Sequence, residues 1–97
     1  MTKADIVAII ADATGLTKVE TETVIDGFLS SVSAALVQGH RIDFRGFGSF
    51  SVKFRRAKVA RNPGTGATVP LPERYVPVFK PSKILREAVD KNLNKTN

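Results

Sequence analysis

Along the first forty residues the apolar positions recur at helical spacing. Ile6, Ile9, Ile10 and Ala13 follow Thr2, which is placed to cap a helix, and Asp5, whose charge suits the positive end of its dipole; Gly15 closes the segment. Thr17 and Glu20 then form a capping-box pattern ahead of Val24, Ile25, Phe28, Leu29, Val32, Ala35 and Leu36, a wide stripe that ends near Gly39. The pattern predicts two helices joined as a hairpin, the second with an apolar face broad enough for more than one neighbour.

From Arg41 the period falls to two. Ile42 and Phe44 alternate with Arg41, Asp43 and Arg45, and beyond the turn-like Gly46-Phe47-Gly48 the alternation resumes as Phe50, Val52 and Phe54 against Ser49, Ser51, Lys53 and Arg55. These are strands of an antiparallel sheet with one apolar face turned to the helices. Val76, Val78 and Phe79 supply a further strand, and Ser82 is placed to cap a closing helix through Leu85, Ala88 and Val89, with Lys91 to Asn97 expected as a frayed tail.

Between those strands the core pattern runs out. Residues 55 to 75 contain few large apolar side chains and centre on Asn62-Pro63-Gly64-Thr65-Gly66, a dense turn signal flanked by strand-like Lys58 to Arg61 and Ala67 to Leu71. A hairpin with ten-residue legs would reach roughly 30 Å, too far to stay packed on so small a body. It is expected to project as an arm, residues 55–75, from a body made of 1–54 and 76–97. Prolines in the returning leg would each remove a ladder donor. Pro70 and Pro72 lie two apart and so spoil the same edge of the strand, whereas Pro77 has the opposite parity and is expected to mark a bulge or break where the arm re-enters the body.

Charge sharpens this division. The 97 residues carry a formal net charge of +6, yet residues up to 40 hold only Lys3 and Lys18 against Asp5, Asp12, Glu20, Glu22 and Asp26. The basic character therefore belongs to the second half, and within it to Arg55, Arg56, Lys58, Arg61 and Arg74 on the arm, with Glu73 the single acid there. A basic ribbon is suited to a polyanion: Lys and Arg neutralise phosphates, and a two-stranded ribbon is narrow enough to enter a DNA groove. Pro63 reads on local grounds as a turn proline; on a protruding tip it is also a compact apolar wedge able to unstack a base step. Arg61 and Asn62 beside it suit minor-groove acceptors and phosphates.

Other chemistries find little support. The chain has no cysteine and one histidine, so disulfides, thiolate metal sites and an imidazole site are not expected, nor is any cofactor or small-molecule substrate. Asp43 and Glu73 have no evident partner for acid-base work, and Gly46-Phe47-Gly48 lacks the strand-to-helix setting of a nucleotide loop, so the chain does not read as an enzyme. No apolar run is long enough for a membrane span, and a cytoplasmic, nucleoid-associated location is the expectation. An RNA-binding or ribosomal protein is the rival reading from composition, and a pure protein-interaction module a weaker one.

Taken in order, Gly46-Phe47-Gly48-Ser49-Phe50, Arg61-Asn62-Pro63 with Thr65-Gly66, Val76-Pro77 and Phe79-Lys80-Pro81 resemble the signature of the HU and integration host factor family of bacterial histone-like proteins, over nearly the whole chain. The likeness is to both its HU-type and its integration host factor beta-type subunits. It implies an α+β fold: a two-helix hairpin, a three-stranded antiparallel sheet with a long protruding β-ribbon arm, and a C-terminal helix, in an intertwined dimer. It further implies double-stranded DNA as partner, gripped in the minor groove largely without sequence specificity, bent and compacted, with Pro63 intercalating and Arg61, Asn62, Arg55, Arg56, Lys58 and Arg74 as arm contacts. Arg45, Lys3, Lys80 and Lys83 would lie on the body's DNA side, and Phe28, Phe44, Phe47, Phe50 and Phe79 in the dimer core. A homodimer is the expected form; a sequence-selective heterodimer subunit is the alternative. Pro70 and Gly64 stand where many members carry polar or charged residues. Independently of the resemblance, about seventy residues outside the arm are few to bury so many phenylalanines, which also favours a partner chain.

Overall fold

A computed structural model describes residues 1–94. Helices α1 (Lys3–Thr14) and α2 (Lys18–Val37) form the hairpin, strands β1 (Ile42–Phe44), β2 (Gly48–Arg55), β3 (Lys58–Arg61), β4 (Thr68–Leu71) and β5 (Arg74–Pro81) follow, and α3 (Lys83–Leu93) closes the chain. The body sheet has the order β1-β2-β5, and β3 pairs with β4 as a separate two-stranded ribbon. Both sheets are antiparallel throughout.

The helix starts follow from their capping residues. Thr17 Oγ1 accepts from the Glu20 amide and the Glu20 carboxylate accepts from the Thr17 amide, each at 3.0 Å, an arrangement that holds the Glu20 carboxyl below its ordinary value. Asp5 accepts from the Thr2 amide at 2.7 Å, and Ser82 Oγ accepts from the Leu85 amide at 3.1 Å. Ser82 also donates its hydroxyl hydrogen to Gly46 O at 2.9 Å, tying α3 to the β1–β2 turn. Lys91 to Leu93, expected to fray, are helical, and residues 95–97 of the expected tail lie outside the described residues.

The interior is small. Among the described residues the buried apolar side chains are Val7 and Ala11, where α1 lies on α2 beside the fully buried Thr21. Ile6 and Ile9, on the helical period of α1, stay exposed in the single chain. Across the sheet the phenylalanines form a connected file, Phe28 to Phe44 at 5.4 Å between ring centroids, Phe44 to Phe50 at 6.1 Å, Phe50 to Phe79 at 4.8 Å and Phe79 to Phe47 at 5.2 Å. Yet Phe28 is 50% and Phe47 49% exposed, so the file is only half covered.

The returning strand also corrects the expectation for Pro77. It pairs regularly with Val52 inside β5, without a bulge, and the interruption lies further out at Arg56–Ala57 and Pro72–Glu73. Because β5 is an edge of the sheet, a residue whose amide points outward needs no donor, and Pro77 costs the ladder nothing. Beyond the interruption the ribbon stands away from the body, and the radius of gyration is 18.5 Å, against about 13 Å for a compact chain of this length.

Gly48, where β2 begins, is required by contact. A Cβ there would meet Lys80 O at 2.5 Å and the Phe79 ring at 2.7 Å. Gly48→Ala is expected to destabilise the fold by about 1–3 kcal/mol, read as a fall of several degrees in the thermal midpoint; an unchanged midpoint would show that the strand can shift to accept the methyl.

Candidate nucleic-acid interface

The arm's tip is braced from within. Asn62 N–H donates to Ala67 O and Gly66 N–H donates to Asn62 O, both at 2.7 Å, so Gly66 and Ala67 together oppose Asn62. That is a bulge of the kind that requires a left-handed first residue, and Gly66 has φ +73°. Asn62 Oδ1 accepts from the Gly64 amide at 2.9 Å, closing a second small turn around Pro63, and Thr65 Oγ1 accepts from the Ala67 amide at 3.2 Å. Pro63 is thus held, exposed, at the end of the ribbon. The side-chain oxygen of Asn62 thus serves the turn, which leaves its amide N–H donors for the role read from sequence.

The arm cations carry no internal counter-charge. Among the described residues, Arg55, Arg56, Lys58, Arg61 and Arg74 make no ion pair; Arg74 donates weakly to Pro72 O at 3.4 Å. Arg55, Arg56, Lys58 and Arg74 surround one hollow at the arm's root, beside Ala57. All bases of the outer arm sit on the outgoing leg, because residues 62 to 73 contain neither Lys nor Arg.

On the body, Arg45, Lys80 and Lys83 come together around a second hollow, at the start of α3. Arg41 and Arg86 join them there, two bases that sequence reading passed over. Arg86 was open to recognition as the residue one turn beyond Lys83 on a helix; Arg41 was not, since its place depends on how β1 folds back on β2. Arg41 is partly committed, donating to Asp43 at 3.2 Å and to Ser49 Oγ at 3.3 Å, and Lys83 has only a distant acid, Glu87 at 3.9 Å.

Lys3 stands apart from this group. Its ammonium donates to Asp26 at 2.8 Å with Glu22 at 3.6 Å, and the bond to Asp26 holds it above the ordinary lysine value. In the free chain it therefore pins α1 to α2, and any phosphate must compete with Asp26 for it.

The sequence of residues 1–90 matches the family model described as bacterial DNA-binding protein. The chain belongs to that family, the one containing HU and integration host factor. It is 46% identical over 94 residues to the integration host factor subunit beta of Hahella chejuensis, covering 96% of each chain, and 48% identical over 91 residues to that of Thioalkalivibrio sulfidiphilus, covering 93% of this chain and 95% of the other. Among solved structures it resembles HU in an Anabaena HU-DNA cocrystal, with a TM-score of 0.82 and 32% identity over 92% of this chain and 97% of that one. HU from Thermotoga maritima superposes with a TM-score of 0.67 at 28% identity, over 92% of this chain and 98% of that one. The resemblance read from sequence is thereby shown, and the RNA-binding and protein-interaction alternatives fall away. Within such a family the chain is an architectural DNA-binding protein.

If Lys3 reaches DNA, its ion pair sets a cost that mutation can lift. Asp26→Ala is expected to tighten DNA binding at low salt by up to about fivefold, the scale of an exposed pair, and the gain should vanish in Lys3→Ala/Asp26→Ala. Equal gains in both backgrounds, measured by fluorescence anisotropy, would remove Lys3 from the interface.

Proposed function

We propose that the chain acts as half of an intertwined dimer whose two arms enter the minor groove, where each Pro63 inserts into a base step and kinks the duplex. The observation that carries this reading is the arm itself: a ribbon with unpaired cations along one leg and a proline fixed at its tip by four hydrogen bonds around Asn62 and Thr65. Basic legs release counterions and give affinity without reading bases, since the minor groove offers a degenerate code. A rigid apolar tip unstacks one step, and the bend repays its cost by bringing DNA against the body, where Arg45, Lys80 and Lys83 gather with Arg41 and Arg86. Arg61 lies beside the wedge, and Arg55, Arg56, Lys58 and Arg74 supply phosphate contacts nearer the root.

The roles of Pro63 and of the cations are separable. Pro63→Ala is expected to reduce the bend measured by end-to-end fluorescence transfer while leaving affinity within about a few fold, because the phosphate contacts remain. Bend angles equal in variant and parent would reject the wedge.

Dimerisation is supported by what the single chain leaves uncovered. Phe28, Leu29, Phe47 and Phe54 are each about half exposed and Phe79 is 39% exposed, large apolar side chains that association would cover. A second chain would cover it and complete the file from Phe28 through Phe44, Phe50 and Phe79 to Phe47. Phe47→Ala or Phe79→Ala is expected to destabilise the assembly by about 3 kcal/mol, with a thermal midpoint that depends on protein concentration. A midpoint independent of both substitutions would take these rings out of the interface.

A second reading, a sequence-selective subunit that pairs with a different chain, is favoured by the 46–48% identity to integration host factor beta subunits. Purifying the chain alone decides between them: a stable dimer that binds all sequences alike supports the homodimeric form, and failure to dimerise supports the heterodimeric one.

A further inference from the structure

The body sheet and the arm share one register but differ in hydrogen-bond phase. A single alignment runs from Gly48↔Pro81 through Arg55↔Arg74 to Lys58↔Leu71 and Arg61↔Thr68, with Arg56–Ala57 and Pro72–Glu73 unpaired between. In an antiparallel ladder, opposite residues alternate between narrow pairs, which exchange hydrogen bonds, and wide pairs, which do not. At the body end Ser82 N–H donates to Phe47 O at 2.8 Å, the pair next after Gly48↔Pro81. Counting on by twos makes Arg55↔Arg74 narrow. Pro81 and Pro77 then fall in wide pairs, where no donor is missed, together with the aromatic pairs Phe50↔Phe79 and Phe54↔Tyr75.

At the tip Asn62 N–H donates to Ala67 O. Counting back by twos makes Ala60↔Val69 and Lys58↔Leu71 narrow and leaves Pro70 wide, opposite Val59. Phe47 and Asn62 are an odd number of steps apart, so the ladder must change phase once between them. Pro72 shows why the change falls at the root: in the body's phase it would face Ala57 in a narrow pair and lack the hydrogen that pair needs. Pro70 bars the next such place further out in the same way.

Phase decides which face of the ribbon a side chain leaves, since narrow pairs all project from one face and wide pairs from the other. The face that bears Lys53 and Arg55 on β2 and Arg74 and Lys80 on β5 continues into the arm with Lys58, where an unbroken ladder would have put Ala57. We propose that Pro70 and Pro72 are positioning residues: they pin the phase change at the arm's root, and so place Lys58 in file with Lys53, Arg55 and Arg74 as one row for a single phosphate strand. Three of the four cations around the root hollow, Arg55, Lys58 and Arg74, belong to that row. The proposal rests on the arm's gripping DNA, and its geometry is testable without DNA.

In the free protein, close Hα–Hα cross-peaks mark wide pairs. Val59 with Pro70 is expected, and a Lys58–Leu71 cross-peak instead overturns the phase change. Binding then tests the consequence, through the dependence of log affinity on log salt. Lys58→Ala is expected to reduce the magnitude of that slope by about one in the parent, and by less than half as much in Pro70→Val/Pro72→Val, where the break is free to move outward and turn Lys58 to the other face. Equal effects in the two backgrounds overturn the positioning role. Slopes unmoved by both Lys58→Ala and Arg55→Ala, with the cross-peaks as expected, refute the DNA-gripping reading of the root and leave the ladder geometry standing.

Discussion

One antiparallel pairing organises this molecule. β2 and β5 hold the body sheet together, and the same alignment, carried past Arg55 and Arg74, makes the arm. The body end of that pairing is anchored to α3 through Ser82 and to the phenylalanine file through Phe50 and Phe79; its far end carries Pro63. Stability and reach therefore come from the same two strands, and residues spent on reach are lost to the interior. That is why a chain with 42% hydrophobic residues buries so few of them, and why a partner surface is the natural completion of its core.

The electrostatic arrangement follows the same axis. On the body, Lys3 sits with Asp26 and Glu22, and Arg41 with Asp43. Outward along the strands the matching stops, and from Arg55 to Arg61 every base faces solvent without an acid partner among the described residues. An exposed cation with no partner gains most from a phosphate, since nothing internal has to be given up.

Much of this was legible in the sequence, for local reasons. Thr17 with Glu20 and Ser82 announce helix starts because a cap is a short-range hydrogen bond, and the change from a period near four to a period of two marks the passage from α2 to β1 because side-chain direction follows backbone geometry. Asn62-Pro63-Gly64-Thr65-Gly66 announces the tip for the same reason. What escaped depends on neighbours distant in the chain. The period of Ile6 and Ile9 announces α1, but which of its side chains α2 buries, Val7 and Ala11, is set by how the two helices pack. Parity alone required a change somewhere between Pro72 and Pro77; only the Phe47–Ser82 hydrogen bond fixes the phase of the body and shows that Pro77 keeps it.

The prolines of the returning leg have one more effect. A strand at the rim of a sheet offers its outward amides to any other chain in extended conformation, and long bare rims seed aggregation. β5 is such a rim, and in the body's phase its outward positions are Tyr75, Pro77, Phe79 and Pro81, so every second donor is missing. Along β4 the outward position within the strand after Thr68 is Pro70, again without a hydrogen to give. A ribbon that must stand free in solution to do its work is thereby made a poor template for a stray strand, and the molecule can hold out a long, unpaired edge without inviting copies of itself to zip onto it.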